Sequence, residues 1–145
     1  MTMMQKMQAK KSKKGFTLVE LVIVIAILAI LAAIAIPVIT TTINSSKLST
    51  LDSDKTTVDM VLKEAVNTYK ASINTTTYNG QNASAATVSD IFAEQNLDLS
   101  ILSDRTIGGT TYQIVWNGGA ASVAQGGTGG TVITGATTMA QLSPM

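Results

Sequence analysis

Hydrophobic and polar positions divide the chain into stretches of different character. Leu21–Ile36 is an unbroken apolar run of sixteen residues, closed by Pro37. In a helix such a run presents apolar side chains on every side, which a bilayer or a fully buried core accepts and a surface helix does not. Phe16 to Ile39 comprises 24 residues. At roughly 1.5 Å per residue that is a helix of about 36 Å, long enough to cross a membrane. Beyond Pro37 the pattern turns amphipathic, with Ile39, Ile43, Leu48, Leu51, Val58, Leu62, Ala65, Val66, Tyr69 and Ile73 recurring mainly at steps of three, four or seven. Those steps form one helical stripe, and Lys47, Asp52, Asp59, Lys63 and Lys70 fall largely off it. Phe16 to about Ser72 therefore reads as one long helix whose first half is apolar all round and whose second half packs against a small domain.

The middle of that helix is its weak point. Pro37 removes one N–H and crowds the preceding turn, which predicts a kink or local melting, with a plain helix end as the alternative. Thr40-Thr41-Thr42 and Asn44-Ser45-Ser46 are poor helix formers. They read either as a segment that stretches when subunits pack or as a linker between two helices.

Residues 74–86 form a polar loop with a turn at Asn79-Gly80. Thr87-Val88-Ser89-Asp90 has the form of a capping box with Asp in place of Glu, and it opens a short helix to about Asn96 that presents Val88, Ile91 and Phe92. After Gly108-Gly109, Thr110–Trp116 places Tyr112, Ile114 and Trp116 on one face, as a strand does. Asn117-Gly118 is a strong hairpin signal and leads to a second strand near Ala121–Ala124. Gly126–Gly130 makes another turn before a third strand from Thr131 to about Thr134, or as far as Met139. The predicted class is α+β: a long N-terminal helix packed against a three-stranded antiparallel meander.

Composition removes several chemistries from consideration. The chain has no His and no Cys, which excludes a Ser-His-Asp triad, a thiol nucleophile, disulfides and an ordinary zinc or haem site. No catalytic residue, cofactor or metal ligand is expected. Asp52, Asp54 and Asp59 suggest a cation site, but with Lys55 and Lys63 among them they read better as a solvated face. Trp116 with Tyr112 is read as buried against the helix in preference to a surface ligand site. Asn74-Thr-Thr76 and Asn82-Ala-Ser84 match the glycosylation triplet at a frequency that a Thr-rich chain reaches by chance, and no GK[ST] follows the glycine run, so it is not a phosphate loop.

Charge isolates the N-terminus. Residues 1–15 carry Lys6, Lys10, Lys11, Lys13 and Lys14 and no acid, and the other 130 residues hold 5 basic against 9 acidic side chains, a net of −4. An acidic remainder with one Arg disfavours nucleic-acid binding. Lysines flanking the N-terminal side of the apolar run put that end in the cytoplasm and the rest outside. A cleaved secretory signal fits Ala33-Ile34-Ala35, and a plain single-pass anchor fits the run. Neither accounts for Glu20, an acid one residue before the run that is costly in hydrocarbon without a partner.

Lys13-Lys14-Gly15-Phe16-Thr17-Leu18-Val19-Glu20-Leu21 closely resembles the prepilin signature of type IV pilins and of the related type II secretion pseudopilins. The resemblance extends through Pro37. It implies that a membrane aspartyl peptidase cuts after Gly15 and N-methylates Phe16, that Glu20 is the glutamate needed for assembly, and that Pro37 loosens the middle of the helix. The physics agrees at each position. Gly15 lets an extended backbone lie close in a protease cleft. The α-amine of Phe16 and the carboxylate of Glu20 can pair within one chain or between chains offset along a filament, and the second arrangement makes charge neutralisation depend on assembly. Many Gram-negative pilins close the C-terminal region with a disulfide, so this chain must close it by packing and hydrogen bonds, as cysteine-free Gram-positive pilins do.

The expected organisation is a cleaved basic leader (1–15), an apolar half-helix for membrane or filament core (16–39), an amphipathic half-helix (40–73) and a globular head (74–145). The expected role is a structural subunit of a type IV pilus, held in the cytoplasmic membrane before assembly and extracellular after it. Its implied partners are the prepilin peptidase, the assembly platform, and identical or related subunits. The alternatives are a pseudopilin of a secretion or DNA-uptake system and a membrane-anchored surface enzyme or adhesin.

Overall fold

A computed structural model describes residues 2, 15–71, 77–78, 80–82 and 85–143. The lysine flank, Ile73 and the Asn74 triplet lie outside the described residues, as do two of the three positions of the Asn82 triplet. The chain divides into two compact units, residues 1–42 and 43–145. Helix α1, Leu18–Ala71, contributes to both.

Within the first unit α1 continues through Pro37 and the threonines without interruption. The readings of Pro37 as a helix end and of residues 40–46 as a linker are thereby overturned. The threonines turn their hydroxyls back onto the helix: Thr40 Oγ1 donates to Ile36 O at 3.0 Å, and Thr41 and Thr42 Oγ1 both donate to Val38 O at 2.9 Å. Hydroxyls satisfied on helix carbonyls have no need to compete for the backbone in other conformations.

In the second unit α1 buries Leu51, Val58, Leu62, Ala65, Val66 and Tyr69. Their spacing is that of one helical stripe. Ile43 and Leu48, which the periodicity placed on the same stripe, stay exposed. Strands β1 (Thr77–Tyr78) and β2 (Gln81–Asn82) form a small hairpin, with Tyr78 paired to Gln81, in the segment read as a loop. Helix α2, Val88–Glu94, starts on the expected capping box, where the Thr87 N–H donates to Asp90 Oδ2 at 2.9 Å. It ends two residues earlier than expected, at Glu94 and not Asn96, and buries Val88, Ile91 and Phe92. A 3₁₀ turn follows at Leu99–Leu102, capped by Asp98, whose Oδ1 accepts the Ser100 N–H at 2.8 Å.

The sheet has four antiparallel strands where the sequence pattern suggested three. Strand β3 (Arg105–Ile107) pairs with β4 (Thr110–Asn117), and β4 with β5 (Ala120–Gln125). Ile107 faces Thr110 and Asn117 faces Ala120, so the two tight turns are Gly108-Gly109 and Gly118-Gly119. All four glycines have positive φ, as type I′ hairpin turns require. The second turn thus lies one residue beyond the predicted Asn117-Gly118.

Strand β6 (Thr131–Val132) pairs with β4, through Val115↔Val132 and Trp116↔Thr131. The third predicted strand is therefore shorter than expected and on the wrong side for a meander. Since β5 ends opposite Tyr112 and β6 begins opposite Trp116 on the other edge of β4, residues 126–130 cross the outer face of β4. The glycines make this close crossing possible. A Cβ at Gly127 would lie 2.7 Å from Gln113 Oε1, and one at Gly130 would lie 2.6 Å from Trp116 O. Val115, beneath the crossing, is fully buried.

On the inner face Ile114 and Trp116 join the α1 stripe, Phe92 and Ile91 in one core. Each fully buried side chain of this size contributes about 1.5–3 kcal/mol relative to exposure. The C-terminal segment closes the core. Ile133 N–H donates to Ile114 O, Val88 N–H to Thr137 O and Met139 N–H to Ala86 O. Helix α3, Met139–Leu142, then buries both its end residues, and Trp116 Nε1–H donates to Leu142 O at 2.7 Å. Trp116 is thus buried, as its position in the strand pattern suggested.

Charged groups tie α1 to the sheet. Asp54 pairs with Arg105, and Asp59 Oδ1 accepts the Ala121 N–H at 2.7 Å while its Oδ2 accepts from Lys63 Nζ at 2.8 Å. The reading of these acids as a merely solvated face holds for Asp52, which pairs with Lys55 at the surface, and fails for the other two. Burial alone would raise the Asp59 carboxyl. The Lys63 and Ala121 hydrogen bonds and the charges of Lys63 and Lys55 outweigh it and hold the group below the usual carboxylate range.

Candidate functional site

The residues singled out by the sequence lie at the start of α1. Gly15, Phe16 and Thr17 precede the helix and are exposed, and the helix begins at Leu18. The Gly15–Phe16 bond is therefore outside regular structure. Phe16 is 94% exposed.

Thr17 and Glu20 make a reciprocal cap. The Thr17 N–H donates to Glu20 Oε2 at 2.9 Å, the Glu20 N–H donates to Thr17 Oγ1 at 3.3 Å, and Leu21 N–H closes the first turn on Thr17 O at 3.2 Å. Two N–H groups that a helix start leaves without intrahelical partners are thus satisfied by side chains. The carboxylate also sits in the first turn, at the positive end of the helix dipole. Thr17 was not among the residues picked out from the sequence, although T-x-x-E ahead of an apolar run is the same signal that located α2.

The helix that follows is exposed all round. Val22, Ile23, Val24, Ile25, Ile27 and Leu28 are each about half exposed, at 48–57%, although they point in every direction about the axis. No part of the most apolar 18-residue window is buried, and by length and composition the helix suffices to cross a membrane. Apolar surface of this extent is stable in water only when something covers it. Pro37 lies inside the helix, where its missing N–H leaves the carbonyl of Ala33 without the usual donor.

Among the described residues no group of three or more His, Cys, Asp or Glu is arranged to hold a metal ion. Asp52, Asp54 and Asp59 each face a different cationic side chain.

The whole chain matches no curated protein and no solved structure. A family model does match its N-terminal part, described as the prokaryotic N-terminal methylation motif and covering residues 10–36. That interval contains Gly15, Phe16, the Thr17–Glu20 cap and the apolar run, and it stops one residue before Pro37. Residues 10–36 of this chain thus carry the N-terminal methylation motif that is the signature of type IV prepilins.

Proposed function

We propose that the chain is a prepilin whose mature form, beginning at Phe16, polymerises through α1 into a type IV pilus. The observation that carries this reading is the coincidence, over one interval, of the methylation motif with a helix that is apolar and exposed on every side. A bilayer covers that surface before assembly, with the lysine-flanked end in the cytoplasm, and the α1 helices of neighbouring subunits cover it in the filament, at the cell surface. Prepilin peptidase cuts after Gly15 and methylates the new amine of Phe16. The assembly platform in the membrane extracts the subunit.

Within this scheme Glu20 supplies the charge that makes packing selective. A carboxylate among apolar helices is costly unless paired, and the Phe16 amine of an offset neighbour is the countercharge. Pro37 gives α1 a place to bend or loosen as subunits pack. The head, held on α1 through its core, forms the outer surface of the filament.

Mass spectrometry of sheared surface filaments and of the cytoplasmic membrane tests the reading. The expected result is a chain of residues 16–145, one methyl group heavier than its sequence, in both fractions. A mature chain in the membrane but absent from filaments would indicate a pseudopilin of a secretion or DNA-uptake system. An N-terminus at Ile36 would show ordinary signal-peptidase cleavage and overturn both.

A further inference from the structure

We propose that the cavity between the end of α1, the Gly118-Gly119 turn and α3 binds a small hydroxylated carboxylate, of the chemistry of a sugar acid. All three elements belong to the second unit, and the inference does not depend on how the chain assembles.

The cavity measures about 450 Å³. That lies in the range of small-molecule sites and is more than a bare ion fills. Val66 and Leu142 give it a buried apolar side, and Lys70 and Gln141 line it as exposed polar groups. The Gly118-Gly119 turn forms part of the rim, with open space where a Cβ would stand on either residue.

Two observations identify the ligand. The first is charge. Lys70 is the one charged side chain among the described residues lining the cavity, and it pairs with no acid among the described residues. Its place in the last turn of α1 complements the helix dipole, but an ammonium has three donors and that role occupies none of them. A single positive charge is matched by a single carboxylate.

The second observation is Ser143. Its side chain lines the same cavity at 5% exposure, and its Oγ is the one buried side-chain polar atom among the described residues without a hydrogen-bond partner. Folded proteins seldom leave a buried hydroxyl unpaired, and one beside a cavity is accounted for by what the cavity holds. Gln141 turns its Oε1 back to the Thr138 N–H at 2.9 Å, so the amide nitrogen is the end left for a ligand. Ammonium, amide nitrogen and hydroxyl are all donors, which suits the oxygens of a carboxylate. Asn117 and Thr131, also in the lining, offer an amide and a hydroxyl to the ligand's own hydroxyls, and Val66 and Leu142 meet its carbon skeleton. Ordered water would satisfy Ser143 equally well and would need no cation.

The single Trp reports on the site. Trp116 Nε1–H donates to Leu142 O at 2.7 Å, and that carbonyl is joined directly to the Ser143 nitrogen. The test titrates full-length protein in mild detergent with glucuronate, glucose and inorganic phosphate, and follows the indole N–H resonance by NMR. Glucuronate is expected to shift it saturably with a dissociation constant of about 1 mM or tighter, and glucose and phosphate to bind at least about tenfold more weakly. Lys70→Gln should weaken glucuronate binding about tenfold and Ser143→Ala about fivefold, while Lys47→Gln, which removes a lysine elsewhere on α1, stays within about twofold of wild type. Because the Ser143 hydroxyl has no partner to lose, Ser143→Ala should keep or raise Tm in the absence of ligand. No saturable shift with glucuronate would overturn the proposal and leave water as the partner of Ser143. Equal binding of glucose would overturn the role of charge, equal binding of phosphate would reduce the cavity to a general anion site, and a lowered Tm in Ser143→Ala would show that the hydroxyl already has a partner; each of these also overturns it.

Discussion

Replacing Asp59 is the most informative perturbation of the head. Its carboxylate receives the Ala121 N–H from β5 and the ammonium of Lys63, at 2.7 and 2.8 Å. A hydrogen bond to a charged group contributes about 1.5–3 kcal/mol, and an exposed pair one helical turn apart adds about 0.3–0.5. Because Asp59 is only partly buried, Asp59→Ala is expected to cost about 2 kcal/mol. Asp59→Asn retains an oxygen for Ala121 and loses the charge, which predicts about half that cost; Lys63→Ala removes only the surface pair and is expected to cost about 0.5 kcal/mol or less. For a folding unit of about 100 residues, 2 kcal/mol lowers Tm by roughly 10 °C. The single Trp makes the assay specific, since unfolding of the full chain in mild detergent is followed by the fluorescence of buried Trp116.

The same variants fix the sign of the pH dependence. Burial raises the Asp59 carboxyl, but the Lys63 and Ala121 hydrogen bonds and the nearby lysines more than offset it, so the folded value lies below the ordinary 3.8. A depressed folded value contributes stability that is fully present above the unfolded value and is lost as pH falls through the folded one. The gap between wild type and Asp59→Asn should therefore stay constant from neutral pH to about pH 5 and close below 3.8. A gap that does not narrow as pH falls below 3.8, or an Asp59→Ala variant with wild-type Tm, would refute the assignment of this carboxylate as the tie between α1 and β5.

Three further outcomes are expected. Glu20→Ala should insert into the membrane normally, since it makes the segment more apolar, yet enter filaments poorly; wild-type filament yield would rule out pairing with a neighbour's Phe16. Gly130→Ala should lower Tm markedly, by a cost of about 1–3 kcal/mol, because its Cβ would meet Trp116 O at 2.6 Å, whereas Gly129→Ser, with open space around it, should cost only the strain of its positive φ. A fragment beginning at Thr41 should be soluble and monomeric, with mixed helix and strand by circular dichroism and a cooperative melt; aggregation or a transition seen only in full-length protein would show that the helix before Pro37 is needed to fold the head.

Much of the molecule was legible as pattern. The run Leu21–Ile36 and the Leu51–Tyr69 stripe are periodicities long enough to outweigh the weak propensity of Thr40–Thr42, and the Thr87–Asp90 box marked the start of α2. What escaped was short or non-local. At three residues, Arg105–Ile107 is too brief to show alternation, and its only local signal was Gly108-Gly109, a pair that the type I′ turn also uses at Gly118-Gly119. The pairing of β6 with β4 was hidden for another reason: a glycine-rich turn specifies a reversal, not which edge of the sheet the next strand joins. Asp54 and Asp59 looked solvated because helical spacing places them near lysines, while Arg105 and the Ala121 N–H arrive from about 50–60 residues away. Thr17 was overlooked at a place where Glu20 invited an intermolecular explanation, although both roles use the same carboxylate.

The absence of cysteine has a consequence for how the head comes apart. A disulfide acts mainly by restricting the unfolded chain, so it holds a loop closed even when the packing around it loosens. Here closure depends on geometry that exists only in the folded state. Trp116 Nε1–H reaches Leu142 O from the central strand, Met139 N–H reaches Ala86 O just ahead of α2, and Ile133, Met139 and Leu142 fill the same core as the α1 stripe. Peeling the C-terminal segment away would leave the indole N–H without its acceptor and uncover apolar groups on three elements at once. Each such orphaned buried group costs about 1–3 kcal/mol. Local opening of the C-terminus is therefore expected to approach the cost of unfolding the whole head, so the segment and the sheet should lose hydrogen-exchange protection together. Reducing agents should leave that stability unchanged, whereas weakening the core anywhere along Leu51–Tyr69 should loosen the C-terminus as well.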